Sequence, residues 1–416
     1  MRQLRLQERD EVTTGGSATL TDADVMALAR LEPFLPAGCL SWRPRSLRFG
    51  PFCGVLRAGD LTIELLPKTG ASLDGEKGVL VAMLRAVGAL VTYVAGEASL
   101  NQQRVHLLDQ FILDFCTRVT FLLREGAIAH YQQFDDNLTT VRGRLAFTEH
   151  IRRNAITHTH LFCQYDERTV DNPHNRALKA VLHCLRSSAV STHARGVVDT
   201  LLHRFADVAA TTVKPRDIDQ LHFDRTTARW KPTFERARWL LEGLFPDVRA
   251  GEVDGTCLLF NMERLFEAFL GVKVRRAWKD HGSNLDVALQ GPRRDLAASS
   301  QGPAFELRPD ISIIEGDRVV RIFDAKWKTL DAASSNFGVD RTDVYQLAAY
   351  AGRYRCENIG LVYPVAPSVP AGVRTYRLQT PGNPLLSIHI IDVRELALAG
   401  ALPAELRPQQ PLLVYG

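Results

Sequence analysis

Three charged residues in the last third of the chain have the types and the spacing of a site that cleaves phosphodiesters. Asp310 follows Arg308-Pro309, and Asp324 stands two residues before Lys326. Two carboxylates can hold Mg²⁺, which needs few protein ligands because it keeps bound waters and also accepts phosphate oxygens. A nearby ammonium can orient the attacking water or stabilise the charge that develops on the phosphate. These residue types predict metal-assisted hydrolysis, provided that the fold brings them together.

A β-hairpin would bring them together. Apolar residues flank Glu315-Gly316-Asp317 on both sides, and the glycine supplies the positive φ that a tight turn often needs. With the turn centred there, Asp310 lies opposite Asp324, and the alternation of side chains puts Asp324 and Lys326 on one face. An Asp and a Lys two residues apart can also be an ordinary solvated face. Acids that end or interrupt strongly apolar strands favour a site, because a buried charge is costly unless something coordinates it.

These motifs resemble the PD-(D/E)xK nuclease signature, with Asp in the middle position. The stretch from residue 307 to residue 328 is similar to McrC, the nuclease subunit of McrBC restriction systems. Other similar stretches follow in the family's order at residues 54–55, 63–68, 142–145, 172–179 and 262–267. The resemblance covers about residues 50–365. It implies a carboxy-terminal restriction-endonuclease-like domain with a mixed sheet.

The nuclease signature also has a carboxylate on a helix before the hairpin. Apolar residues recur at helical spacing between Leu258 and Leu270 and predict a helix with one buried stripe. Glu263 and Glu267 lie one turn apart on it. Periodicity places Glu263 beside the stripe, whereas the family pattern favours Glu267 as the acid of the site. Both remain candidates, and a pair of surface glutamates is the alternative.

Gln346 and Tyr350 are further candidates. They lie four residues apart in a run of good helix formers and therefore share one helical face. An amide and a phenol there could contact a phosphate, or orient the lysine and the metal waters. The spacing is similar to the Gln-x-x-x-Tyr element of RecB-like nucleases, and an ordinary amphipathic helix is the alternative. Residues 359–364 read as another buried strand, so the order strand, strand, helix, strand predicts a mixed sheet with a helix across it.

The length and composition of the chain limit the number of domains and the fold class that it can have. The chain has 416 residues, 45% of them hydrophobic, and can bury more than one core. The predicted fold class is mixed α/β and multidomain. Residues 1–100 are predicted to form an α+β domain, which the resemblance makes the partner-interaction domain. A mainly helical middle region at 101–245 and a PD-(D/E)xK nuclease domain at 246–416 follow.

Composition also argues against several classes of protein. The chain has no apolar run of about 18 residues and no signal-peptide-like start, so a cytoplasmic protein without a membrane partner is expected. Seven cysteines without a Cys-x-x-Cys pair argue against a disulfide framework and a structural zinc site. The formal net charge of +4 permits binding to nucleic acid.

No nucleotide site is expected in this chain. A phosphate-binding loop needs G-x-x-x-x-G-K-[ST], and the nearest approach, residues 70–78, has Glu76 where the lysine should stand. The resemblance therefore implies that the motor is another chain, an AAA+ GTPase of the McrB type. That partner binds GTP and reads modified cytosine in double-stranded DNA, and McrC proteins stimulate it.

The sequence thus predicts a Mg²⁺-dependent DNA endonuclease subunit of a restriction and defence complex. Two alternatives remain open: a catalytically idle module that holds DNA and activates the partner NTPase, and a RecB-like exonuclease. The predicted catalytic residues are Asp310, Asp324, Lys326, Glu267, Gln346 and Tyr350, with Asp310, Asp324 and Glu267 as the metal ligands.

Overall fold

The structure, a computed structural model, divides the chain into two units. One unit combines Met1–Leu107 with Gly243–Gly416, and the other is Leu108–Glu242. The structure describes residues 2–15, 19–70, 72–88, 107–156, 159–243, 255–280, 285–300, 302–366, 368–400 and 402–408. The second unit nearly coincides with the predicted middle region, whereas the predicted first and third regions share the other unit. Separate roles for those two regions stay a prediction.

In its described residues, the amino-terminal segment combines short strands with two α-helices. Its strands are β1 (Arg2–Gln7), β2 (Glu11–Thr13), β3 (Leu40–Arg43), β4 (Ser46–Phe49), β5 (Phe52–Ala58) and β6 (Leu61–Leu66), and its helices are α1 (Asp22–Leu31) and α2 (Leu73–Ala86). Both helices begin at a hydroxyl cap. Thr21 and Asp24 form a capping box at α1, and the Ser72 side chain accepts from Gly75 N at α2.

The second unit contains several helices and also a small sheet that the sequence did not indicate. Its elements are α3 (Leu107–Arg124), β7 (His130–Leu138), β8 (Arg144–Leu145), α4 (Phe147–Asn154), β9 (Leu161–Thr169), α5 (Pro173–Ser188), α6 (Thr192–Arg204), α7 (Pro215–Asp219) and α8 (Lys231–Gly243). The three strands are ordered β7-β9-β8. Buried Asp109 on α3 accepts 2.8 Å hydrogen bonds from the backbone N–H groups of Val190 and Ser191.

The carboxyl-terminal segment is built on a six-stranded mixed sheet. Its elements are β10 (Gly255–Asn261), α9 (Met262–Asp280), β11 (Leu285–Leu289), β12 (Arg294–Ser299), β13 (Gly302–Leu307), β14 (Ile311–Glu315), β15 (Arg318–Ala325), α10 (Arg341–Tyr354), β16 (Asn358–Pro364), β17 (Gly372–Arg377), β18 (Leu385–Ile391) and α11 (Val393–Leu398). The sheet order is β11-β14-β15-β16-β18-β17, with β15, β16 and β18 parallel.

The predicted order of strand, strand, helix and strand is present as β14, β15, α10 and β16. Apolar side chains of α10, among them Leu347 and Ala351, pack on Ile322 of β15 and Leu361 of β16 in one buried cluster. The mixed α/β class is therefore confirmed. None of the helices within the described ranges is both long enough and apolar enough to cross a membrane.

The amino-terminal sheet carries the helix that precedes the hairpin. Its strand order is β1-β6-β5-β10, with β10 antiparallel to β5. Gly54 allows this close pairing, because its φ is +139° and an added Cβ would lie 2.0 Å from the Leu258 carbonyl oxygen. Since β10 runs directly into α9, the amino-terminal sheet fixes where that helix begins.

The predicted start of this helix at Leu258 is wrong. Residues 258–261 belong to β10, and α9 begins at Met262. The Asn261 side chain ends the strand and caps the helix by accepting from the backbone N–H groups of Glu263 at 2.9 Å and Arg264 at 3.1 Å. A short, fully buried apolar run has no periodicity that separates strand from helix.

Candidate active site

The hairpin of β14 and β15 brings Asp310 beside Asp324. The register of the hairpin shifts by one residue between Ile313 and Ile314, and beyond this irregularity Ile311 pairs with Phe323, so Asp310 comes opposite Asp324 as predicted. Ala325 N–H donates a 2.9 Å hydrogen bond to Asp310 Oδ2. This bond ties the first acid to the strand that carries the second, and it leaves both carboxylates at the same end of the sheet.

The Lys326 ammonium lies against both β15 and α10. Its Nζ is 2.7 Å from Asp324 Oδ2 and 3.7 Å from Asp343 Oδ1. It also donates a 3.1 Å hydrogen bond to Gln346 Oε1. The Asp324 side chain is 2% exposed and the Lys326 side chain is 19% exposed. The acid and the amine therefore meet in one enclosed space, as the alternation along the strand predicted.

Burial and mutual repulsion set the ionisation of these groups. Burial, followed by the charges of Asp324 and Glu267, raises the pKa of Asp310 to about 8. Burial also raises the pKa of Asp324, although the charge of Lys326 opposes the shift. Burial is the largest single effect on Lys326 and lowers its pKa, but the contact with Asp324 and the charges of Asp324, Asp343 and Asp310 together outweigh burial, and the net direction is upward. The lysine therefore stays an ammonium, and a further cation would relieve the repulsion between the acids.

Glu267, and not Glu263, shares the electrostatic environment of the aspartates. The charge of Glu267 contributes to the raised pKa of Asp310. Burial raises the pKa of Glu267 itself, and the charge of Asp324 adds to that shift. The Glu263 side chain is 54% exposed, and its Oε1 lies 3.9 Å from Arg9 Nη2. The position of Glu267 agrees with the family pattern, and its role as a metal ligand stays a prediction.

Gln346 and Tyr350 lie in the site as supports of the lysine. Gln346 Nε2 donates to the Tyr350 hydroxyl at 2.8 Å, and that hydroxyl donates to the Arg308 carbonyl oxygen at 3.2 Å. With the bond from Lys326 to Gln346, these contacts form a chain that ends two residues before Asp310. Burial raises the pKa of Tyr350 to about 12, so the phenol remains a neutral donor.

Asp343 and Lys328 belong to the same network and were not predicted. Lys328 Nζ donates to both Asp343 carboxylate oxygens at 2.8 and 3.1 Å, and the Tyr363 hydroxyl donates to Asp343 Oδ2 at 3.2 Å. Asp343 is buried at the start of α10. A signal was present in the sequence, since Asp343, Gln346 and Tyr350 follow helical spacing on one face.

Trp327, the residue after Lys326, is anchored on the amino-terminal segment. Its Nε1 donates a 2.5 Å hydrogen bond to Oε1 of Glu8, which is 2% exposed. The Arg9 guanidinium donates to the Trp327 carbonyl oxygen at 2.9 Å. The indole also packs on the Phe266 ring, with 5.1 Å between the ring centroids. No local sequence pattern predicts the two hydrogen bonds, because they join residues 318 and 319 positions apart.

Glu8 should make the stability of the chain depend on pH. Burial raises its pKa from 4.5 to about 7, although the hydrogen bond from Trp327 and the charge of Arg9 oppose the shift, and Glu76 adds to it. A carboxyl group with a raised pKa in the folded state stabilises the fold while protonated, and this contribution is lost as pH rises through that window. Relative to Glu8→Gln, we expect the wild-type free energy of unfolding to fall by about 2–3 kcal/mol between pH 5 and 8. Urea unfolding of both proteins at the two pH values measures this difference, and parallel pH dependences would contradict the expectation.

The two aspartates have the chemistry of a Mg²⁺ site. Asp324 Oδ2 is enclosed, and within the described residues the Lys326 ammonium at 2.7 Å is the only cation in contact with it. Burial and the charges of Asp324 and Glu267 raise the pKa of Asp310, so a bound cation beside the two aspartates would stabilise their ionised forms. Hard carboxylate oxygens in such a place suit Mg²⁺, which completes its shell with water. In the described ranges, no three His, Cys, Asp or Glu side chains form a ready metal cluster, so Glu267 does not complete a three-acid set there.

Fold and site together define a class: a mixed α/β protein in which a hairpin of a helix-covered mixed sheet brings buried Asp324 together with partly exposed Asp310 and Lys326. The family model described as McrBC, "McrBC 5-methylcytosine restriction system component", matches residues 47–364. The chain belongs to the McrBC family. No curated protein sequence matches the chain.

Two solved structures from Thermococcus gammatolerans share the fold. One, a refined half-complex from a tetradecameric assembly of McrB AAA+ hexamers with bound McrC, has a TM-score of 0.67 at 16% identity and covers 97% of each chain. The other, a cryo-EM structure of the McrBC complex, has a TM-score of 0.53 at 18% identity and covers 66% of this chain and 88% of that chain. At these identities the likeness concerns the fold.

Proposed function

We propose that this chain is the DNA endonuclease subunit, McrC-like and Mg²⁺-dependent, of a restriction complex, with a nuclease domain of the PD-(D/E)xK type. The observation that carries the proposal is the 2.7 Å approach of Lys326 Nζ to buried Asp324, next to Asp310 on the paired strand. Membership of the McrBC family supports DNA as the substrate and restriction as the context.

Each side chain of the set has a separate task in this reaction. Asp310 and Asp324 would hold the ion, and Glu267 is a further acid whose charge acts on Asp310. Bound Mg²⁺ lowers the pKa of a coordinated water and neutralises charge on the phosphate. Lys326, kept protonated by Asp324, would orient the attacking water and stabilise the negative charge that develops on the phosphate oxygens.

The remaining residues hold that lysine in place. Gln346 Oε1 accepts a hydrogen bond from the Lys326 ammonium, and the Gln346 amide is itself held by the hydrogen bond that it donates to the Tyr350 hydroxyl. Asp343 lies 3.7 Å from the same ammonium and is itself held by Lys328 and Tyr363. A long side chain that would otherwise sample many rotamers is thereby restricted to one direction, which is the preorganisation that charge stabilisation requires.

A separate motor is part of the proposal. The chain has no phosphate-binding loop, so a partner would bind and hydrolyse GTP. A similar structure contains McrB AAA+ hexamers with bound McrC. We therefore infer an AAA+ GTPase partner of the McrB type, which would bring double-stranded DNA with methylated cytosine to this chain. We also infer that this chain stimulates GTP hydrolysis by the partner.

Covalently closed circular DNA provides the test of this function. We expect the full chain, with its partner, GTP and Mg²⁺, to nick or linearise closed circles that contain 5-methylcytosine, because an endonuclease needs no end. The products are measured by gel electrophoresis, with unmethylated circles and a reaction without Mg²⁺ as controls.

The same assay separates the alternatives. Degradation of linear DNA with intact circles would replace the proposal by a RecB-like exonuclease, which Gln346 and Tyr350 resemble. Faster GTP hydrolysis by the partner without cleavage of either DNA would instead identify a catalytically idle activator that holds DNA.

A further inference from the structure

Trp327 lies two residues beyond the end of β15, the strand that carries Asp324. β15 ends at Ala325, and the chain from Lys326 to the start of α10 contains no strand. The Lys326 backbone N–H donates to the Val362 carbonyl oxygen at 2.9 Å, which is its last link to the sheet. Beyond that link, the direction of the Lys326 side chain depends on how the following peptide is held.

The amino-terminal segment holds that peptide at two points. Glu8 accepts the indole N–H of Trp327 at 2.5 Å, and Arg9 donates to the Trp327 carbonyl oxygen at 2.9 Å. One bond fixes the side chain and the other fixes the peptide plane, so the residue cannot rotate without breaking a contact. We call Glu8, Arg9 and Trp327 the amino-terminal clamp.

The two clamp residues of the amino-terminal segment are themselves fixed to its sheets. Glu8 N–H donates to the Leu66 carbonyl oxygen at 2.8 Å, and Arg9 N–H donates to that of Gly50 at 3.3 Å. Arg9 has a φ of +61°, a left-handed conformation that a non-glycine residue adopts at a cost. Such a conformation persists only where the surroundings enforce it, and here it directs the guanidinium onto Trp327.

Burial of the Glu8 carboxyl group costs desolvation free energy, and close packing of the surrounding side chains does not require a carboxyl group at this position. Glu8 is 2% exposed, and its Oε2 has no donor in the described part of the chain. An apolar residue would fill the same space without a desolvated carboxyl group. The only side chain that donates a hydrogen bond to Glu8 there is Trp327, whose neighbour in sequence is Lys326.

From these contacts we propose that Glu8 and Arg9 are positioning residues for Lys326, and that the amino-terminal sheets set the direction of the catalytic lysine through Trp327. The inference rests on the proposed function, since it assigns a means of control to that site. The sheet β1-β6-β5-β10 also leads into α9, which carries Glu267. One structural element therefore supports two sides of the site, and a displacement of that sheet would change the position of both.

The test compares two Trp–Glu pairs of the same unit. Trp42 Nε1 donates to Glu32 Oε2 at 2.7 Å, the same type of bond remote in sequence from Lys326. We expect Glu8→Ala to lower kcat for DNA cleavage by about 10–100-fold at unchanged KM, because a small misplacement of a catalytic group has effects of this size. Glu8→Gln, which keeps the acceptor, should restore kcat, and Glu32→Ala should leave it unchanged.

A second measurement needs no cleavage. Reductive methylation with carbon-13 labels the lysines of the full chain, and the Lys326 signal is identified by its absence from Lys326→Arg. We expect Glu8→Ala and Trp327→Phe to shift this signal toward that of a solvated lysine, Glu8→Gln to return it, and Glu32→Ala to leave it in place. An unchanged Lys326 signal in folded Glu8→Ala and Trp327→Phe would overturn the inference. The signal decides the inference even if the wild-type chain cleaves no DNA, a result that would reject only the proposed function.

Discussion

Replacing Lys326 by alanine is expected to reduce the rate of DNA cleavage by about 10²–10³-fold or more, the size of effect seen when one preorganised charge-stabilising group is removed. Its ammonium is the only cation within 4 Å of Asp324 in the described part of the chain. Alanine leaves neither a donor for the attacking water nor a charge beside the phosphate. Single-turnover cleavage of closed circular DNA, with partner and Mg²⁺ saturating, measures the chemical step directly.

The loss should be confined to chemistry. Lys326→Ala should still bind the partner and should still increase its GTP hydrolysis, because the side chain is largely enclosed within the site. Lys279→Ala, an exposed lysine near the end of α9, is the matched control and should cleave at the wild-type rate. Cleavage by Lys326→Ala at the rate of that control would remove Lys326 from the mechanism.

The second large effect is expected from the acid pair. Asp310→Asn combined with Asp324→Asn keeps the shape of both side chains but removes the two charges that suit a divalent cation. We expect cleavage to fall below detection at every Mg²⁺ concentration and calorimetric Mg²⁺ binding at this site to disappear. A titration of Mg²⁺ against nicking, together with calorimetry on the chain alone, tests activity and binding separately.

A control variant with the same change in net charge distinguishes the loss of the two carboxylates at the site from a general change in the charge of the protein. Asp286 and Asp317 are exposed acids on β11 and in the hairpin turn. Their double replacement by asparagine should leave both the Mg²⁺ titration and the rate unchanged. Retention of Mg²⁺-dependent nicking by the Asp310/Asp324 double variant would place the metal elsewhere and would end the proposed mechanism.

The local geometry of the hairpin could be predicted from sequence. Gly316 adopts a φ of +58° in the turn, a conformation that only glycine takes at little cost. Apolar strands on either side then limit the register, since a shift of a whole strand by one residue would move every side chain to the other face. The pattern does not indicate the one-residue shift between Ile313 and Ile314 that brings Asp310 opposite Asp324. The placement of Asp310 beside Asp324, and of Lys326 on the same face as Asp324, follows from interactions within about twenty residues.

The start of the helix before the hairpin could not be predicted from the local sequence. The run from Leu258 to Phe260 is equally compatible with a buried strand and a buried helix. It forms a strand because β5, about two hundred residues earlier, offers a pairing edge with Gly54 at the point of closest approach. An ideal helical projection also could not choose between Glu263 and Glu267. The choice depends on which side of α9 faces the hairpin, and only the packed structure contains that information.

The turn, the approximate strand register and the types of residue that end those strands follow from local sequence, because backbone conformation and side-chain alternation are short-range properties. Packing between distant segments settles which acid of α9 lies near the aspartates and places Glu8 and Arg9 against Trp327. Those contacts join distant segments whose approach is driven by burial of apolar surface. That force is non-directional and proportional to area, so no local pattern of residues can encode which polar groups it will bring together.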